Sequence, residues 1–585
     1  MIRPVILTVR LGAACAAAGA GLALSAGRAA AQHPGAIAPA DSGACHGEIV
    51  RDIEVEPGTT PSGPLGGVWR VAQRMTGRQH ALTQRSVILS FVAMRVGRPC
   101  TELERSESER VLRAQPFLAA ASIRAAPDSA GGVRLLIATR DEIPLIVRGG
   151  LSGATLQSLA LGDNNVRGSA VSAQAGFTLR DHYRTGLQLG LTSYAAFHRP
   201  IIASVYAERA ALGSRFAASV RHPFNTDLQP AAWYAGVSHD NSYVAIARPA
   251  NDGLALNVRQ TRYDVSGLRR FRVGGLVAGL GGIVSGVRVR PAPAGTRITD
   301  LGLAPDTGLT LAGRYGPFGA LRPGVIVGIR LVRFVRGTGF NSLAATEDLA
   351  QGFQIGLLAE RGIGGFPDAT NDVFYAGSLY AGRATPLWFV GLDVEAERRR
   401  NQDRRRWDDG ILSGRLAWYV KAAPRTVFVM SDELSGGSQA ILPFQLTLGG
   451  TGGVRGYRGS YLGGAWRNVI RAEERWTLGS PLSRMDFGLA AFADAGSLWA
   501  GDAPYGVTAP FRVSVGASVL GAVPRNSKRL IRVDLAVPTK HEGNRSWEVR
   551  FSIVDLTRAF WREPGDVSRS RLGPVPSSIM QWPAR

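Results

Sequence analysis

Cysteine is nearly absent, with three in 585 residues. Cys15 lies in the N-terminal stretch, so only Cys45 and Cys100 remain for the folded chain. A disulfide-dense framework cannot be built from two thiols. Lysine occurs only at positions 421, 528 and 540, and the net charge of +23 is carried by arginine. No nucleic-acid recognition motif accompanies that charge. It suits the phosphates of anionic lipids, and nucleic acid is not expected as a partner. Charged residues make up 19% of the chain, below the ~25% of ordinary soluble domains. Beyond about residue 30 there is no run of ~18 apolar residues, which excludes a bundle of spanning helices. A membrane β-barrel survives that test, because its signal per segment is weak. Catalytic signatures are missing as well. There is no His-Glu-x-x-His, no Gly-x-Ser-x-Gly and no Cys/His zinc spacing. No enzyme activity, metal or cofactor is expected.

What is present in excess is glycine, 73 residues, beside 45% apolar residues. That balance favours strands and turns over long helices. Residues 1–31 carry Arg3 and Arg10, an Ala/Gly/Leu-rich middle and the exit Ala29-Ala30-Ala31. These are the parts of a secretory signal peptide, with cleavage expected after Ala31. Export places Cys45 and Cys100 in an oxidising compartment. They either form a disulfide closing a loop of roughly 55 residues or stay two small buried thiols.

Residues 32–45 read as a flexible segment rich in Pro, Ala and Gly. A small α/β unit follows over 46–143. Glu48–Glu56 is strand-like, and residues 57–80 are loop-like. Thr83–Val96 has helical spacing. Thr101 and Glu104 form a capping box that opens a second helix to about Arg113. Ser122–Ala125 and Val133–Thr139 are short strands. The predicted order is β-α-α-β-β.

From 144 to 556 the texture is one of alternating runs broken by Gly, Pro, Asn and Asp. No linker divides it, so one closed barrel is simpler than several sandwiches. Parity along the last strands is informative, because successive residues face opposite sides. Val513, Val515, Ala517 and Val519 share a face, as do Ile531, Val533, Leu535 and Val537, and Trp547, Val549, Phe551 and Ile553. The opposite faces carry Arg532, Asp534, Glu548 and Arg550. In 486–496, Asp486, Gly488, Phe492 and Asp494 share the polar face. Lipid outside and water or a plug inside would dress a barrel this way. Residues 557–585 follow as a polar C-terminal tail, which includes Phe560, Trp561 and Trp582 and is expected in the periplasm.

Two motifs stand out. One is the Gly-rich run 449–453, continuing as Val454-Arg455-Gly456-Tyr457. No Gly-Lys-Ser/Thr follows it, so it is no phosphate loop. The other is Phe492-Ala493-Asp494-Ala495-Gly496, on the second strand after that run. In order and spacing these resemble the two signatures of the BamA/TamA outer-membrane assembly superfamily. The phrase VGRPCTELERSESERVLRAQPFLAAASI resembles its POTRA module. The resemblance implies a mainly β fold, a transmembrane antiparallel barrel of 16 strands, preceded by one POTRA-like domain in the periplasm. It implies that Arg455, on a loop entering the lumen, pairs with Asp494. Glu473 and Arg475 are candidates to complete a lumen charge network.

The functional expectation follows from that resemblance. It is an outer-membrane assembly, insertion or translocation factor, whose POTRA domain receives client strands and whose barrel seam releases them. The seam strands are expected near 154–161 and 547–554. Partners would be unfolded outer-membrane client proteins, outer-membrane lipids, and accessory periplasmic or lipoprotein subunits. The alternatives are a dedicated outer-membrane transporter or channel, and a barrel that only anchors the small domain. Three features depart from the family pattern: a single POTRA-like unit, no amphipathic plug helix before it, and the tail after the last strand.

Overall fold

The fold is that of a computed structural model. It describes residues 43–56, 82–152, 155–179, 183–273, 275–364, 368–449, 452–458, 460–480, 485–540, 547–555 and 561–577. The expected signal peptide, most of the 32–45 segment, the 57–80 loop, Phe560 and Trp582 lie outside the described residues. Residues 45–585 form one compact unit.

The α/β part has strand β1 (His46–Val55), helix α1 (Arg85–Ser90), β2 (Pro99–Thr101), α2 (Glu102–Arg113), β3 (Leu118–Pro127) and β4 (Val133–Asp141). The sheet order is β2-β1-β4-β3, with β1 and β4 parallel. The helix expected over 83–96 is a single short one, because the chain turns at Phe91 and heads for β2. β2 is a three-residue strand that the periodicity did not reveal. Thr101 caps α2, its hydroxyl accepting from the Glu104 amide at 3.3 Å. Cys45 and Cys100 are joined by a disulfide, their Cα atoms 5.2 Å apart. It pins the start of β1 to the start of α2 over a core of Val50, Ile88, Leu112, Ile123, Leu135 and Ile137.

The barrel begins with short strands: β5 (Leu145–Ser152), β6 (Thr155–Asp163), β7 (Val171–Thr178), β8 (Gly186–Ser193), β9 (Ile202–Arg209) and β10 (Gly213–His222). Taller ones follow: β11 (Ala231–Ala245), β12 (Leu254–Val273) and β13 (Leu276–Pro291). A small hairpin, β14 (Thr296–Thr299) and β15 (Gly302–Pro305), extends the sheet beyond β13. Then come β16 (Phe318–Thr338), β17 (Thr346–Arg361), β18 (Asp372–Ala384), β19 (Trp388–Asn401), β20 (Arg406–Ala423) and β21 (Thr426–Ser438). The loop after β21 holds the two-residue pair β22 (Leu446–Thr447) and β23 (Gly463–Gly464). The wall resumes with β24 (Trp466–Gly479), β25 (Asp486–Trp499), β26 (Ala509–Ala522), β27 (Arg529–Pro538) and β28 (Glu548–Asp555). β28 closes against β5, and the barrel is complete.

Two expectations are corrected. Leaving aside the hairpin and the loop pair, β5–β13, β16–β21 and β24–β28 give 9 + 6 + 5 = 20 wall strands, where the family resemblance implies sixteen. The excess goes with residues 145–222, where turn residues recur about every ten positions and cut six short strands. The seam is also one strand earlier than expected. Leu145–Ser152, not 154–161, meets the last strand, its pattern interrupted by Arg148 and the pair Gly149-Gly150.

Burial settles which face is which. Val515, Val519, Val533, Leu535, Val549 and Phe551 are exposed, whereas Ser514, Ser518, Arg532, Asp534 and Glu548 are buried. A soluble sandwich would do the reverse. Large apolar side chains outside and charges inside require a hydrocarbon surround. No helix among the described residues is long and apolar enough to cross a membrane.

Because β5 leaves the α/β part directly, that end of the barrel is here the near end and the opposite one the far end. α2 lies across the near end. Arg113 makes a two-pronged pair with Asp348 of β17, at 3.0 and 2.6 Å. Arg110 donates to the Asn225 carbonyl at 2.6 Å, and the Thr226 hydroxyl donates to Glu107 at 2.6 Å. The Ser527 hydroxyl of the β26–β27 turn donates to Glu142 at 2.7 Å. The tail after β28 is a further correction. Residues 561–577 fold back inside the barrel.

Candidate functional site

The loop between β21 and β24 starts at the far end and dips into the lumen. The Val454 amide donates to the Leu448 carbonyl at 2.7 Å, tying the Val-Arg-Gly-Tyr motif to the residue after β22. Val454, Leu448, Tyr457, Val469 and Leu498 form a small apolar cluster between loop and wall. Gly496 makes this approach feasible. A Cβ there would meet Val454 Cγ2 at 2.5 Å and Leu448 Cδ2 at 3.1 Å. The last position of the Phe-x-Asp-x-Gly motif is therefore the socket for the first position of the Val-Arg-Gly-Tyr motif.

Arg455 follows and is almost fully enclosed. Its Nε and Nη2 donate to the two Asp494 oxygens at 2.7 Å each, and its backbone amide donates to the same carboxylate at 3.2 Å. Its guanidinium lies 3.4 Å over the Phe492 ring. Both partners, Phe492 and Asp494, occupy alternate positions of β25, on the inward face that strand parity predicts. Nη1 donates to Glu473 at 3.2 Å. Glu473 also accepts from Arg475 at 2.6 Å and from both Arg532 nitrogens, at 2.9 and 2.6 Å. Arg532 in turn pairs with Asp534, whose carboxylate accepts from the Ser518 hydroxyl. Three arginines (455, 475, 532) face three carboxylates (473, 494, 534), so the cluster is neutral, 3 − 3 = 0. Neutrality with two-pronged geometry is what makes buried charge tolerable away from bulk water.

The network reaches both ends and the seam. Arg475 Nη1 donates to the carbonyls of Phe340 and Asn341 at 3.2 and 3.3 Å, in a near-end turn. That turn is tied to Glu347, which accepts from the amides of Phe340, Asn341 and Ser342. On the other side the Gly456 amide donates to Glu548 of β28 at 2.8 Å. The Tyr457 hydroxyl donates to the Val513 carbonyl of β26 at 3.1 Å. One loop tip thus touches β24, β25, β26 and the closing strand β28.

All the sequence-chosen residues of the two motifs, Val454, Arg455, Gly456, Tyr457, Phe492, Asp494 and Gly496, come together here with Glu473 and Arg475. Cys45 and Cys100 are elsewhere, in the α/β part. Sequence reasoning placed Arg532, Asp534 and Glu548 on the polar face without assigning them to the network; the parity that marked Asp494 marks them equally. It missed the tail altogether. Arg467 of β24 pairs with Asp566 at 2.7 Å, and Arg571 with Glu397 of β19 at 2.9 Å. The signal was available in β19, where Asp393, Glu395, Glu397 and Arg399 alternate with apolar residues and call for buried partners. Among the described residues no group of His, Cys, Asp and Glu is placed to hold a metal ion.

Comparison with known proteins gives one family match. Residues 416–554, which contain the loop, β24–β27 and all but the end of β28, match the model described as Omp85 superfamily domain. No curated protein matches the chain. Among solved structures, CdiB from Escherichia coli is 14% identical, covering 88% of this chain and 91% of its own, with a TM-score of 0.41. BamA from Haemophilus ducreyi lacking POTRA domains 1–3 is 11% identical, covering 86% and 83%, with a TM-score of 0.36. CdiB from Acinetobacter baumannii is 11% identical, covering 94% and 99%, with a TM-score of 0.35.

Proposed function

We propose that this protein, which carries an Omp85 superfamily domain, passes unfolded client polypeptides into or across the outer membrane, with its α/β part in the periplasm. No cofactor or energy source enters the reading, since folding of the client is itself favourable. The single observation that carries it is the seam. β28 and β5 are eight residues each, against twenty-one for β16. Eight residues hold few ladder hydrogen bonds, and among the short pairings on that side of the wall this one joins the first and last strands, which no turn connects, so they can part without opening a hairpin. The lumen loop bonds Glu548 on one of those two strands, which gives it a handle on the opening.

Client capture is assigned to the α/β sheet edge, where an extended segment can add as a strand. The edge strand β3 is guarded at its centre. The Ile123 amide donates to Glu109 at 3.3 Å and its carbonyl accepts from Arg105. A client must displace these two side chains or pair beyond them. Lipid partners are supported at the far end. There Arg398, Arg400, Arg404, Arg405 and Arg406 are exposed, with Arg398 and Arg400 5.4 and 5.8 Å from the Trp407 ring centre. That pattern of arginine over interfacial aromatics suits lipid phosphates.

The test is a cysteine pair locking β5 to β28, introduced into a host depleted of the native protein. The other outer-membrane barrels are then quantified by mass spectrometry. A locked barrel that stays folded but fails to sustain them, with recovery on reduction, supports insertion through the seam. Normal levels with the lock closed overturn it. Loss of one secreted protein alone would assign the chain to a dedicated transporter.

A further inference from the structure

The described part of the tail, Trp561–Ser577, runs through the lumen as a folded ligand. Trp561 stands edge-on to Tyr380 and Phe389, both on the inner face, with ring centres 6.1 Å apart in each case. A short helical turn, α3 (Gly565–Ser568), follows, and Asp566 pairs with Arg467 of β24. Val567 packs with Ile411, Phe444 and Leu446. Arg571 is buried, donating to Glu397 at 2.9 Å and to Glu563 of the tail itself. Leu572 joins a far-end cluster with Leu256, Val289 and Phe318, whereas Val575 joins another with Phe224, Leu268 and Phe374. The Ser577 hydroxyl donates to Glu395. The segment therefore rises past β19–β24, turns near the far end and comes back beside β18 and β19, where Gly573 meets Phe374 and Ser577 meets Glu395. It also presses on the lumen loop. Gly452 has φ +85°, and a Cβ there would meet Pro564 Cγ at 2.9 Å.

We propose that the inner wall of β18–β24 is a binding site for a folded, arginine-bearing peptide, and that residues 561–577 are its resident occupant. In this role the tail plugs the lumen and clamps the Val-Arg-Gly-Tyr loop, so its release is the step that frees the lumen. The wall supplies what such a peptide needs: Glu395 and Glu397 for a guanidinium, Arg467 for a carboxylate, and apolar sockets between them. Pro564, Pro574 and Pro576 restrict the backbone of the segment between those anchors. This does not depend on whether the seam inserts clients.

The experiment uses a chain truncated after residue 560 and a fluorescent synthetic peptide of residues 561–577. The truncated barrel is expected to bind the peptide saturably. An Arg571→Ala peptide should bind at least tenfold more weakly, and the full-length barrel should bind neither. In planar bilayers the truncated barrel should conduct more than the full-length one and fall back when the peptide is added. Absence of saturable binding, or equal binding to the full-length barrel, overturns the site. Conductance unaffected by bound peptide overturns the plug. Should the truncated chain fail to fold, Arg571→Glu in the full chain is the second variant. It should raise conductance and make the tail cleavable by added protease, with Glu397→Arg reversing both. An unaltered tail in Arg571→Glu overturns the proposal.

Discussion

Arg455 and Asp494 are joined by two side-chain bonds and one backbone bond in a site with little access to water. Replacing Arg455 with Ala leaves Asp494 fully buried with its main partner gone, and leaves Glu473 with two arginines instead of three. A broken buried pair costs about 3–5 kcal/mol. The loop is expected to detach, which trypsin reads as cleavage at the exposed Arg458. Arg455→Lys should rescue little, because a single ammonium cannot span both oxygens. A loop equally resistant in wild type and Arg455→Ala would refute the brace. Gly496 gives a steric test at the same spot. Gly496→Ala should push Val454 outward and loosen the loop, and adding Val454→Ala should restore protease resistance by vacating the space. The inward face of Asp494 was legible from strand parity, whereas the loop's entry into the lumen and the pairing of Arg455 with Asp494 came from the family resemblance. The loop's reach to Glu548 was not legible, since contact across four strands depends on where the barrel closes.

At the scale of elements, the joint between α2 and the barrel is acid-sensitive through Glu107. Burial pushes its carboxyl up, but the hydrogen bonds from Arg110 and Thr226 outweigh that and hold it below its ordinary value of 4.5. A depressed folded value means the joint's stabilisation is fully present above about 4.5 and is lost as the pH falls through the lowered value. Amide protection of α2 in the full chain, taken relative to intrinsic exchange at each pH, should therefore fall as the pH drops below about 4.5, while Glu107→Gln should be less protected at neutral pH and depend less on acidity. A profile unchanged by the substitution would show that the joint rests on Arg113 and Asp348 instead. α2 itself was readable from its capping box and spacing. Its docking was not, because Glu107 and Arg110 look like an ordinary solvated i,i+3 pair until turn 223–230 is brought against them. The strand number failed for a different reason: sixteen came from the family resemblance, whereas the turn residues that cut 145–222 into six short strands stand in the sequence. The tail failed because a polar, proline-rich segment reads as solvated unless the surplus of inward charges on β19 is noticed.

At the scale of the molecule, the wall is uneven in height. Eight residues rise ~27 Å at ~3.4 Å each, or ~21 Å once tilted by ~40°. Fourteen residues reach ~36 Å on the same reckoning. β5–β9 and β28 have eight or nine residues, whereas β24, β25 and β26 have fourteen each. The short side contains the seam, and its apolar face, with Leu187, Leu189, Val549 and Phe551 exposed, falls below the ~25 Å of a usual apolar band. A bilayer meeting it must thin, at fractions of a kcal/mol per Å of mismatch. The lipid beside the closing strands is therefore already strained, and under the proposed function a client inserted there would relieve part of that strain. In lipid nanodiscs the two headgroup layers should draw together by several Å beside β28 and β5 and stay apart beside β16–β20, as cryo-electron microscopy would reveal. The same asymmetry predicts faster client insertion in bilayers of shorter acyl chains, with the difference shrinking as the bilayer approaches the height of the short wall. Headgroup layers of even separation all round the barrel would mean that the short strands extend their apolar face through the turns, and the seam would then owe its weakness only to short strands that no turn connects.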